Sequence, residues 1–119
     1  MSGHLLGMAG EQAAAGFLET RGYTILAKNY RARAFEIDLI AKDGDVLCFI
    51  EVKTRSSTRK GLPREAVNLP KQQKIIMGAS FYLKQHNLFN HRVRFDVVEI
   101  ITQGPLPEFN LIQNAFSGI

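Results

Sequence analysis

Two apolar runs, Ala34–Ala41 and Val46–Lys53, are joined by Lys42-Asp43-Gly44-Asp45, and this arrangement constrains the chain more than any other. Asp-Gly between apolar runs signals a hairpin, because its turn needs residues that tolerate positive φ. With Asp43-Gly44 as a two-residue turn, Lys42 faces Asp45, Glu36 faces Glu51, Asp38 faces Phe49 and Ala34 faces Lys53. Side chains alternate along a strand, so Glu36, Asp38, Glu51 and Lys53 share one face. Their neighbours Ile37, Leu39, Ile40, Leu47, Phe49 and Ile50 mark central strands. Opposed like charges destabilise a sheet, and an unpartnered buried carboxylate costs more still. Lys53 neutralises one acid. A hard divalent cation can hold others, since Mg²⁺ takes one or two carboxylates and keeps several waters. Solvated charges on an open face remain the rival reading, which suits any one carboxylate better than the four together.

The remaining chain supplies the frame. Residues 5–21, rich in Ala, Leu and Glu and followed by Gly22, read as a helix. Glu11 lies at helical spacing with Ala14, Ala15 and Leu18, on or beside the stripe that faces the core. Gly10 and Gly16 weaken this helix and give room for a close neighbour. Tyr23–Asn29 reads as a strand. A basic loop follows the hairpin from Thr54 to Leu69, and a helix runs from Pro70 to about His86. Arg92–Ile101 reads as a strand and Glu108–Gln113 as a short last one. The order is α-β-β-β-α-β-β. The strand–helix–strand segment implies a crossover joining parallel strands, hence an α/β fold with a mixed sheet flanked by helices. At 119 residues the chain fits one domain, residues 1–119.

Charge is unevenly spread. Between Lys53 and Lys74 seven basic residues stand against the single acid Glu65, whereas the whole chain carries only +4. A basic segment of this kind suits nucleic-acid phosphates. One cysteine, Cys48, excludes a disulfide framework and a multi-cysteine zinc site. No apolar run is long enough to span a membrane, and no basic-then-apolar leader is visible. The expectation is a cytoplasmic protein with no membrane partner. His4, His86 and His91 show no ligand spacing, the tyrosines read as packing residues, and Asp96 beside Arg94 reads as structural.

Gly10-Glu11, Asn29-Tyr30-Arg31, Glu36-Ile37-Asp38-Leu39-Ile40-Ala41, Phe49-Ile50-Glu51-Val52-Lys53-Thr54-Arg55, Lys71-Gln72, Arg94-Phe95-Asp96-Val97-Val98 and Asn114-Ala115-Phe116 occur in order along nearly the whole chain. Together they resemble the YraN-like bacterial family, placed in the restriction-endonuclease-like superfamily. The hairpin is also similar to the core of the Asp…Glu-x-Lys nucleases, most of all the archaeal Holliday junction resolvases, which are small dimers. The resemblance implies a restriction-endonuclease-like fold and a metal-dependent nuclease. Asp38 and Glu51 would hold Mg²⁺ or Mn²⁺ with the Val52 carbonyl as a further ligand, and Lys53 would activate the attacking water. Glu11 matches an acid that approaches the metal and Gln72 a polar helix position near it, with Glu36 as further support. A homodimer is implied by resemblance only. Phe35 departs from the pattern, since glycine usually precedes Glu36; its ring either closes a path to the site or packs away from it.

The expected activity is hydrolysis of phosphodiester bonds, structure-selective on DNA because no element looks built to read bases. Arg55, Arg59, Lys60, Arg64 and Lys71 would contact phosphates. The alternative is a non-catalytic nucleic-acid-binding module with the same fold, and a scaffold whose acidic face docks a basic partner ranks behind it.

Overall fold

Seven elements appear in the expected order in a computed structural model, which describes residues 3–56 and 67–118, with side chains from Ala9 onward. They are α1 (Gly3–Thr20), β1 (Thr24–Ala32), β2 (Phe35–Asp43), β3 (Val46–Arg55), α2 (Leu69–His86), β4 (Arg92–Ile101) and β5 (Glu108–Phe116). The strands form one sheet in the order β1-β2-β3-β4-β5. β3 and β4 pair in parallel and the other neighbours are antiparallel, so the sheet is mixed. α1 covers one face through Ala14, Ala15 and Leu18, against Leu39, Ala41, Cys48 and Ile50. α2 covers the other through Ile75, Ala79, Tyr82 and Leu83, against Ile37, Ile40, Leu47 and Phe49. No helix among the described residues is long and apolar enough to cross a membrane.

Helix ends follow local chemistry. The Asn68 side chain accepts a 3.0 Å hydrogen bond from the Lys71 N–H, Pro70 sits in the first turn, and Asn87 closes α2 in the left-handed conformation. Gly10 brings α1 down onto β3, since a Cβ there would lie 3.1 Å from Thr54 Oγ1. Gly16 meets nothing within 4 Å, so only one of the two glycines serves a close approach.

The hairpin register corrects one expectation. Asp43 pairs with Val46, which makes Gly44-Asp45 the two-residue turn, and the ladder runs back to Leu39↔Ile50. Gly44 has φ +63° and Asp45 is not in the positive-φ region. A turn with one positive φ takes glycine at its first central position, so the pairing slides by two residues. Continued along the strands, this register sets Asp38 level with Glu51 rather than Phe49.

Phe35 packs away from the acids. Its ring lies between Tyr30 and Phe81, with centroids 5.7 and 5.6 Å away. Gly78 of α2 leaves it room, because a Cβ there would come within 2.7 Å of the ring.

Candidate metal centre

The site forms where the central hairpin forks. Ladder pairing between β2 and β3 stops at Leu39↔Ile50. Beyond it the Val52 N–H donates to Asp38 Oδ2 at 2.8 Å, in place of a ladder partner. Alternation also breaks here. Ile37 and Ile40 both face α2, while Leu39 and Ala41 face α1. Asn29, between the pairs Lys28↔Leu39 and Tyr30↔Ile37, lies opposite Asp38 and has φ +53°. Asparagine tolerates this left-handed conformation better than most residues. Asp38 is therefore held at the split, in reach of groups on both faces of the sheet.

On the α1 side stand Glu11 and Glu36. One carboxylate oxygen from each of Glu11, Glu36 and Asp38 lies within 4.8 Å of the others. Glu11 is 9% exposed, and its Oε2 is buried without a hydrogen-bond partner. Burial first, then the charge of Asp38, pushes the Glu11 carboxyl up to about 7. A hydrogen bond from the Asn29 side chain works in the opposite direction.

On the α2 side stand Glu51, Lys53 and Lys71. Glu51 is 3% exposed and Lys71 Nζ lies 2.6 Å from its Oε1. Burial and then Asp38 push Glu51 up to about 7, against the pull of Lys71 and Lys53. Lys53 is lowered, first by burial and then by the neighbouring Lys71 ammonium. Burial alone would lower Lys71 too, but its hydrogen bond to Glu51 and the nearby carboxylates outweigh that and raise it. With Lys53 and Lys71 as partners, the carboxylates of Glu11, Glu36, Asp38 and Glu51 carry two negative charges in excess when all are ionised, and the exposed Glu36 also borders Arg31 and Arg33. One divalent cation or two protons would cancel that excess, and the upward push on Glu11 and Glu51 runs in the same direction.

The profile of the family described as Uncharacterised protein family UPF0102 matches residues 10–100, which include Glu11, Asp38 and Glu51. The chain belongs to this family. A UPF0102 protein of Desulforapulum autotrophicum is 50% identical over 111 residues, spanning 93% of this chain and 92% of its own length. One from Symbiobacterium thermophilum is 52% identical over 113 residues, spanning 93% and 95%. One from Chlorobium phaeobacteroides is 51% identical over 119 residues, spanning 95% and 94%. The family expected from the sequence blocks is borne out.

Within this UPF0102 fold the anticipated residues fall into distinct places. Asp38, Glu51 and Lys53 gather at the fork, with Glu11 beside Asp38. Glu36 corrects the expectation of a single acidic face: the alternation break turns it to the α1 side with Glu11, whereas Glu51 and Lys53 face α2. Val52 meets Asp38 through its N–H. Gln72 donates to the Val67 carbonyl at 2.8 Å and so fastens the chain entering α2, its described contact lying outside the acidic cluster. Arg55 is turned inward, with Nε 2.7 Å from the wholly buried Glu99. That ion pair takes up the charge expected to face phosphate, because a buried carboxylate without a cation would be costly. Arg59, Lys60 and Arg64 lie outside the described residues. Asn29 was missed as part of the site, although an asparagine inside a strand pattern is itself a sign of left-handed backbone.

Proposed function

We propose that this UPF0102 protein is a metal-dependent phosphodiesterase acting on nucleic acid, with DNA as its substrate and Mg²⁺ or Mn²⁺ as its cofactor. The observation that carries this reading is the position of Asp38. It joins Glu11 and Glu36 on one side to Glu51, Lys53 and Lys71 on the other. The buried, unpartnered Glu11 Oε2 and the two-charge excess fit a hard divalent cation, which oxygen donors of this kind bind. Asp38 would be the common ligand, with Glu11 and Glu36, and with Glu51 and the Val52 carbonyl on the β3 side. When bound, the cation would polarise the phosphate and acidify a water.

The chain's own groups have separable roles. Lys53 orients the attacking water and sets positive charge where the phosphate gains negative charge. Lys71 holds Glu51 in place and neutralises it. The Val52 N–H fixes the rotamer of Asp38. The backbone split gives Asp38 access to both layers without burying a second unpaired acid.

One observation favours the non-catalytic binding module. Lys71 already neutralises Glu51, so that acid needs no cation. Linear, flapped and four-way-junction DNA incubated with Mg²⁺ or Mn²⁺ separates the two readings. Cleavage by the native chain that disappears in Asp38→Ala and Lys53→Ala supports the phosphodiesterase. Salt-sensitive binding without cleavage, unaltered in Lys53→Ala, supports the module.

A further inference from the structure

A half-open groove of about 420 Å³ lies between the β1–β2 turn and the start of α2. Among the described residues, Arg31, Arg33, Lys71 and Lys74 line it against a single acid, Glu36. Arg31, Arg33 and Lys74 are exposed and, among the described residues, take part in no ion pair. α2 has no acid in its first turn, so the positive end of its dipole adds to the same potential. Cations gathered without counter-charges repel one another, and an anionic ligand relieves that cost.

The groove is continuous with the acidic site. Glu36 lines the groove and belongs to the group with Glu11 and Asp38. Lys71 lines the groove and holds Glu51. A ligand filling both regions presents one anion to the cationic wall and another to the cation that the adjoining carboxylates would hold. A chain of phosphodiesters has that repeat. Ala32, Ala34 and Pro70 add exposed apolar surface, which suits a sugar or base between two phosphates. The volume lies at the lower end of small-ligand sites, room for about one nucleotide.

We propose that this groove is a subsite for the backbone phosphate next to the scissile one in a nucleic-acid strand, with Arg31, Arg33 and Lys74 as its binding residues. It rests on the phosphodiesterase reading of the adjoining site. It places phosphate recognition on the β1–β2 turn and the start of α2.

The test compares Arg31→Gln/Arg33→Gln with a charge-matched control, Lys84→Gln/Arg92→Gln, on α2 and β4. Thermal melts establish that both are folded. Binding of a fluorescein-labelled single-stranded DNA is followed by anisotropy over a range of salt, with Ca²⁺ as the metal. The groove variant should bind about tenfold more weakly at moderate salt, and its log–log salt slope should flatten by about 1.4, from two lost phosphate contacts. The control should change neither. In cleavage assays KM should rise about tenfold with kcat nearly unchanged. An RNA strand of the same sequence identifies which polymer supplies the phosphodiester. Where the native chain cleaves, dependence on Arg31 and Arg33 for at least one strand supports the subsite, and dependence for neither overturns it. Equal losses in groove variant and control also overturn it, as does competition by inorganic phosphate that is independent of strand length. Abolition of cleavage by Asp38→Asn with normal binding by the groove variant removes the subsite and leaves the phosphodiesterase standing. Lost binding in the groove variant, with no cleavage by the native chain, removes both the phosphodiesterase and a subsite defined by it.

Discussion

Two of the buried polar clusters on the sheet are built on opposite terms. Near the β2–β3 turn, Arg94 donates to Asp96, Asp43 and the Tyr23 hydroxyl at 2.8–3.2 Å. The Tyr23 hydroxyl donates in turn to Asp96 at 3.0 Å, and Gln113 donates to that hydroxyl at 2.9 Å. The Asn114 N–H completes the shell of Asp96. At the forked end, Glu11 Oε2 is buried with no partner, and two carboxyls are pushed up to about 7. The first cluster closes on itself and ties Tyr23, just before β1, to β2, β4 and β5. The second is left short of positive charge. A polar cluster that satisfies itself serves the fold, whereas one that leaves a buried acid unanswered is arranged for something not in the chain.

The sharpest way to break this contrast is to mutate each centre and read both stability and rate. Asp38→Ala should reduce cleavage to background, and Lys53→Ala should lower it by about 10³-fold, with melting temperatures near or above the native value. Gel assays beside thermal melts check this. Arg94→Ala should do the reverse. It strands the wholly buried Asp96 and should cost about 3–5 kcal/mol in urea unfolding. The folded fraction should keep its metal binding.

pH sharpens the comparison further. In the folded chain Glu11 and Glu51 keep their protons up to about 7, while the unfolded chain releases them near 4.5. The folded state therefore holds more protons between those values, and stability present below 4.5 is lost as pH rises through about 7. Metal-free melts should fall over this range, and Mn²⁺ should restore the loss. Glu11→Gln should flatten the metal-free profile and weaken Mn²⁺ binding by about 10–100-fold, measured by calorimetry. The smallest effect belongs to neither cluster. Arg92 and Asp45 are 3.7 Å apart and more than three-quarters exposed, so Arg92→Ala should shift stability by less than about 0.5 kcal/mol.

Much of this was legible from residue pattern. The helices and strands announce themselves through period and turn chemistry, and Glu11 through its place on the stripe with Ala14, Ala15 and Leu18. The Asp-Gly pair marked the hairpin, but its register depended on which residue took positive φ, a choice between two turn types that both accept glycine. The face of Glu36 depended on unbroken alternation, which the left-handed Asn29 and the fork at Asp38 interrupt. The partner of Arg55 was hidden because Glu99 reaches it only through parallel pairing across the β3–α2–β4 crossover. Arg31 and Arg33 escaped notice because β1 was expected to end at Asn29, leaving both without a placed neighbour. Local chemistry was visible; contacts made by elements distant in sequence were not.

The central claim is that the acids at the fork form a divalent-cation site. Anomalous diffraction from crystals soaked in Mn²⁺ above pH 7 tests it most directly. The account predicts a manganese peak among the carboxylates of Glu11, Glu36 and Asp38, absent in Asp38→Asn. A map with no peak there, or one that survives that substitution unchanged, would contradict it.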